Sequence, residues 1–158
     1  MAKSAILDTY SASAAFTITI ANIASSTTFA GQQSDMVDNS VTRYSLIHVF
    51  GKFKQGTSPT GNKGFYLYAI RGDAGGTAHR SDNAAATAGA LTRANAEFIG
   101  VARNLASPAT GDVVYVEAFI VNPGPSFGVM FYHDTAVNTD TTGSNHWLRW
   151  IGNNPEAQ

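Results

Sequence analysis

The side chains that could carry acid–base or metal chemistry in this chain are few and scattered. Histidines stand at positions 48, 79, 133 and 146, with His133 directly before Asp134 and His146 directly before Trp147, and none shows a ligand spacing such as HExxH. A metal site would need three of them to converge from unrelated segments. Ordinary strand and loop positions are the expectation, and no metal or other cofactor is assigned. Cysteine is absent, which removes thiolate nucleophiles, disulfides and cysteine-ligated metals together. No serine lies in a GxSxG elbow. The aspartates Asp8, Asp35, Asp38, Asp73, Asp82, Asp112, Asp134 and Asp140 mostly keep Gly, Asn or Ser company, where capping a turn is their expected task. Glu97 and Glu117 fall inside strand-like runs. They would make a glycosidase-type pair if they faced one cleft, whereas a solvent-facing strand position accounts for each alone. The chain is therefore read as non-enzymatic, with no catalytic residue.

Two further sets have a binding reading and a plainer one. Arg71-Gly72-Asp73 spells an adhesion tripeptide, but its glycine and aspartate also suit a turn after a strand. Trp147, Trp150, Tyr66, Tyr68, Tyr115 and Tyr132 could stack on sugar rings; core and interface positions are the commoner use of such large aromatic surfaces.

The elements that must position these groups are strands. Phe16, Ile18 and Ile20 alternate with threonines, the period-two pattern of a half-buried strand. Residues 44–53 and 64–70 are apolar, β-branched and aromatic, and predict a long β-hairpin. Its connection, residues 55–63, is longer than a hairpin needs. Residues 97–103, 112–121, 127–133 and 146–151 predict further strands; in 112–121, Val114, Val116, Ala118 and Ile120 form a purely aliphatic face. Residues 25–40 read as a loop pinned by Phe29, Met36 and Val37, residues 71–89 as the most mobile internal stretch, and residues 84–96 as a turn or two of helix. Residues 1–13 read as a flexible N-terminal arm, with Ile6, Leu7 and Tyr10 as its large apolar side chains, and 153–158 as a frayed tail. Residues 14–152 then form one all-β domain, a two-sheet antiparallel sandwich, jelly-roll-like, with about seven to eight strands.

Composition narrows the partners. A chain of 158 residues with 44% hydrophobic residues can bury a real core, but only 13% of its residues are charged, well below the usual quarter or so. A surface of Ser, Thr, Asn and Ala is cheap to desolvate against another protein. With a net charge of −1, the chain lacks the global attraction that drives nucleic-acid binding, so none is expected. No apolar run approaches a membrane span, and the first residues lack the form of a secretory signal. Synthesis and folding in the cytosol are the expectation, unless a partner exports the chain.

Three stretches carry a likeness. AGQQSDMVDNS (30–40), GKFKQGTSPTGNKGFYLYA (51–69) and GSNHWLRWIG (143–152) resemble a family of small virion structural proteins of tailed bacteriophages, over most of residues 24–152. The resemblance implies a non-enzymatic virion component, with capsid decoration (cement) as its role. Its implied partners are the major capsid protein and further copies of itself, as a dimer or trimer, on the capsid exterior. Ile6, Leu7 and Tyr10 of the arm, with Gly56, Thr57, Ser58, Pro59 and Thr60 of the long connection, are the expected contact residues. A tail or fibre component that binds a receptor or carbohydrate is the alternative.

Overall fold

The computed structural model describes residues 6–73 and 87–157. Its strands are β1 (Ile6–Tyr10), β2 (Ala14–Ala15), β3 (Ala30–Gln33), β4 (Val37–Asp38), β5 (Leu46–Lys54), β6 (Gly64–Gly72), β7 (Gly89–Thr92), β8 (Glu97–Arg103), β9 (Val113–Val121), β10 (Ser126–His133) and β11 (Trp147–Ala157). The first sheet runs β1-β11-β5-β9, and β2 continues the edge of β1 along β11. The second runs β7-β3-β10-β6-β8, with β4 also beside β10. Every pairing is antiparallel.

Taking β1 and β2 as one interrupted edge, and β4 and β7 as additions, eight principal strands remain. They pair first with eighth, second with seventh, third with sixth and fourth with fifth. That is one long antiparallel ribbon rolled into two sheets, the jelly roll. The expected sandwich is therefore the fold that forms.

The expected hairpin is not. β5 lies in the first sheet between β11 and β9, and β6 lies in the second between β10 and β8. Residues 55–63 must cross the roughly 10 Å between packed sheets, which gives their length a structural cause. The crossing is stitched down along its course. Thr60 donates its amide to the Thr135 carbonyl (2.9 Å), Asn62 to that of Leu105 (3.1 Å), and Ser58 to Thr110 Oγ1 (3.1 Å). Buried Asn104 donates its side-chain amide to Gln55 Oε1 (2.7 Å) and the Thr60 carbonyl (2.8 Å), while its Oδ1 accepts from the Lys63 amide (2.8 Å). At Gly61 a Cβ would stand 1.9 Å from the Ala106 carbonyl oxygen, so the backbones approach closely there.

Other expectations shift for similar reasons. Phe16 and Ile20 are buried as the alternation predicts, but residues 16–20 form no ladder. They bridge the sheets instead: the Phe16 amide donates to Leu148 of β11, and the Thr17 carbonyl accepts from Asp35 beyond β3. The turn-rich stretch 25–40 contains β3 and β4, because β10 offers it a partner edge. Residues 89–92, expected as part of a helix, are β7 paired with β3. Most of the stretch 71–89 expected to be mobile lies outside the described residues. The supposed frayed tail is the end of β11, which pairs through Ala157 with β1, so the arm is an edge strand from Ile6 to Tyr10.

Between the sheets, Phe53, Phe65 and Phe131 stack at centroid distances of 4.2 to 6.2 Å, surrounded by Ile47, Val49, Leu67, Val116 and Ile120. Burying each such side chain contributes about 1.5–3 kcal/mol.

Candidate functional site

The two sheets are covered unequally. Every residue of β10 is buried, and so are Phe65, Leu67, Tyr68, Ala69 and Ile70 of β6. On the outer face of the second sheet Tyr68, Ile70, Met130 and Tyr132 pack with Met36, Leu91 and Ala96, and the β8 edge of that face leaves Phe98 and Val101 exposed. Arg93 lies over the rings of Phe29 (4.6 Å) and Tyr68 (4.8 Å), so the chain covers the middle of this face with its own residues. In the first sheet, β9 alternates strictly between exposed and buried.

The outward positions of β9 other than Glu117 are nevertheless apolar. Tyr115, Phe119 and Val121 are 65%, 48% and 58% exposed. β9 is a strand because its run is β-branched and aromatic, and it is bounded by positive-φ residues, Gly111 before it and Asn122 after it. Its far end is tied down by Arg71, whose guanidinium donates to the carbonyls of Val121 (2.9 Å) and Asn122 (3.2 Å). Register then assembles a face in rows across β11, β5 and β9. Trp147, Lys52 and Tyr115 form one row; Arg149, Phe50 and Glu117 the next; Ile151, His48 and Phe119 the third. Asn153, Leu46 and Val121 form the fourth, which Tyr10 of β1 extends.

His48 is the centre of this face. Its ring packs 3.8 Å from Phe50 and 4.3 Å from Phe119 between centroids, and Nε2 meets Glu117 Oε1 at 2.5 Å. The cluster is a set of large, preoriented, partly apolar surfaces with one anchored carboxylate. Its chemistry is that of contact: area to bury and a few polar groups to fix orientation.

Of the expected contact residues, Tyr10 joins this face and is 69% exposed. Ile6 and Leu7 continue β1 opposite Ala157 and Glu156. Gly56, Thr57, Ser58, Pro59 and Thr60 lie beyond the opposite end of β5; Thr57, Ser58 and Thr60 are exposed and Pro59 is buried. Sequence reasoning missed Phe50, Phe119, Val121 and Arg149. The signal was present in residues 113–121, which apart from Glu117 are apolar on both faces where a half-solvated strand should alternate.

The other chemical candidates disperse. Glu97 pairs with Arg71 and Glu117 with His48, each carboxylate in its own ion pair. His133 is fully buried, with Nδ1 against Thr135 Oγ1 (2.9 Å) and Nε2 donating to the Ile23 carbonyl (3.1 Å). His146, also buried, accepts the Lys54 amide on Nδ1 (3.3 Å) and donates from Nε2 to the Asp140 carbonyl (2.9 Å). Burial holds both imidazoles below the ordinary histidine range, outweighing those bonds. The Asp140 carboxylate is held far below the usual range by Asn145, the Thr142 amide and Lys54. Among the described residues, no three His, Asp or Glu side chains are placed to hold a metal ion; His79 and Asp82 lie outside them. Of the six aromatics that could have made a sugar platform, Tyr66, Tyr68 and Tyr132 stack together on the covered sheet. Trp150 packs on Phe16, Tyr44 and Phe127. Arg71 and Asp73 of the tripeptide are both engaged, Asp73 through its carbonyl, which accepts from Ser126 Oγ (2.9 Å). A cleft of about 600 Å³ beside Arg43, Tyr44, Asn122 and Pro125 adjoins the fourth row. Its Asn39 spends its side chain on Tyr44 and Gly124, holding the turn.

Comparison with protein-family models, curated proteins and solved structures gives no match. No described helix is long and apolar enough to cross a membrane.

Proposed function

We propose that this chain is a non-enzymatic structural protein of a tailed-bacteriophage virion, a capsid decoration or cement protein that binds major capsid subunits on the capsid exterior and stabilises the head. The observation that carries this reading is the unequal covering of the sheets: the centre of one, β10 and β6, is packed under its own chain, and the other offers a broad, largely apolar face that another protein can cover. The low charge, 13% of residues, keeps the desolvation penalty of such contacts small. Tyr10 with the β1–β11 ribbon stands at one end of β5 and residues 56–60 at the other, about 30 Å apart for nine strand residues. A body of that length reaches across neighbouring subunits, and a homo-oligomer multiplies its grips. The head, rather than another part of the virion, comes from the resemblance of residues 24–152.

The test is addition of purified protein to preformed, expanded capsids lacking it. Stoichiometric binding and a raised capsid melting temperature are expected; no binding at saturating protein overturns the reading. Exposed Tyr115 and Phe119 favour the second reading, a tail or fibre component that binds carbohydrate. Glycan-array hits together with the protein's presence in purified tails would put that reading first.

A further inference from the structure

The open face has its charges arranged in a way that selects an occupant. In the row of Arg149, Phe50 and Glu117, the guanidinium stands on β11 and the carboxylate on β9, one strand to either side of β5. Arg149 is exposed, and its guanidinium has no ion-pair or hydrogen-bond partner among the described residues. Glu117 meets His48 yet keeps 62% of its side chain exposed, so lone pairs remain for a donor from outside. A lone guanidinium and a half-used carboxylate on an apolar surface are each half of an intermolecular pair.

We propose that this face is a twofold self-association surface whose occupant is a second copy of the chain, docked with its β9 over β11. A twofold axis in the contact plane and parallel to β5 sets each Arg149 opposite the second copy's Glu117. The same operation puts Trp147 over Tyr115 and Ile151 over Phe119, and brings Phe50 against itself at the centre. An axis across the strands would instead set each Arg149 and each Glu117 on its own copy if it ran along the Phe50 row, or on Ile151 and Phe119 if it ran between the Phe50 and His48 rows, and neither placement pairs the charges. The pairing along β5 is thus the isologous arrangement that matches charge with charge and ring with ring. Lys52 falls near the axis, and its stem is long enough to carry the ammonium to the rim. The outline fits as well. Three strands about 4.8 Å apart and nine residues long make a face about 30 Å by 15 Å. With side chains standing up from it, the accessible area is on the order of the 800 Å² per partner of a stable complex. The inference rests on the face being a protein-contact surface and not on the identity of any capsid.

Sedimentation equilibrium over about 1–100 μM tests it. The wild-type chain is expected to be dimeric at the upper end. Arg149→Glu and Glu117→Arg each set like charges opposite one another and weaken the dimer about thirtyfold or more, and the double variant restores it to within about threefold of wild type. Unchanged near-ultraviolet circular dichroism shows that each variant keeps its packing. A wild-type monomer at about 100 μM, a trimer, single variants that dimerise normally, or a double variant no better than the singles overturns the proposal. Capsid binding by the same proteins separates the two readings. A dimer that ignores capsids removes the decoration role alone, and a monomer that binds capsids removes the twofold alone.

Discussion

His133 is a histidine that the sequence marks as a candidate and the fold uses as filling. Stacked 5.5 Å from Phe65 and bonded at both ring nitrogens, it is a buried neutral imidazole, and His146 is a second. Both have pKa values lowered by burial, so the unfolded chain takes up protons before the folded one does. Their stabilisation is complete above the unfolded value, about 6.5, and is lost as pH falls from there towards the folded values. Urea unfolding followed from pH 7 to pH 5 is expected to show stability falling by up to about 1.4 kcal/mol per pH unit for each histidine. His146→Asn should remove about half of that slope; an unchanged slope refutes its part. Asp140 acts in a separate, more acid window. Its carboxyl pKa is lowered, so its contribution is present above the unfolded value and is lost as pH falls below about 4. Asp140→Asn should lessen the loss below pH 4 and, by removing a charge that holds the His146 pKa up, extend the histidine-linked loss to lower pH.

The β5–β6 crossing shows what an element's sequence says and what it leaves out. Both strands were legible from their β-branched and aromatic residues, as were β8, β9 and β10: one buried face imposes a period of two on β5 and β9, and burial on both faces makes β6 and β10 near-continuous apolar runs. Pairing was not legible, since the alternation of residues 46–54 is the same whether the neighbour is β6 or β11. The short strands β3, β4 and β7 exist because β10 and β3 offer edges, and nothing local in residues 30–38 or 89–92 reports that. The open face was legible only in part. The double-sided apolar run of β9 is visible in the sequence, whereas the rows that bring Arg149, Phe50 and Glu117 together are a product of register. At the crossing, Asn104 replaces what a hairpin turn would have supplied. It satisfies Gln55, Thr60 and Lys63 at once from a buried position. Asn104→Ala leaves those partners unpaired and should destabilise the fold by about 1–3 kcal/mol in denaturant unfolding. A loss below about 0.5 kcal/mol would mean that water replaces it.

For the molecule as a whole, the nested pairing joins residues far apart in sequence: β1 to β11, β3 to β10, β5 to β9. Such non-local sheets fold slowly, so stopped-flow refolding should fall on the millisecond-to-second scale typical of high-contact-order all-β domains. Microsecond refolding would contradict the topology. The amides of β10, flanked by β3 and β6 and buried along its whole length, should exchange slowest with deuterium. The place of β11 has a further consequence for synthesis. β11 lies between β1 and β5 and supplies the partner register of both, from Trp147 to Ala157. While a ribosome is making the chain, β1 and β5 therefore emerge early but cannot be joined until β11 has left the exit tunnel. Through that interval the edges of β1 and β5, together with the apolar outer face of β9, are open to neighbouring nascent chains on the same message. Chaperone cover is then needed most until β11 has emerged, and refolding yield should fall as protein concentration rises.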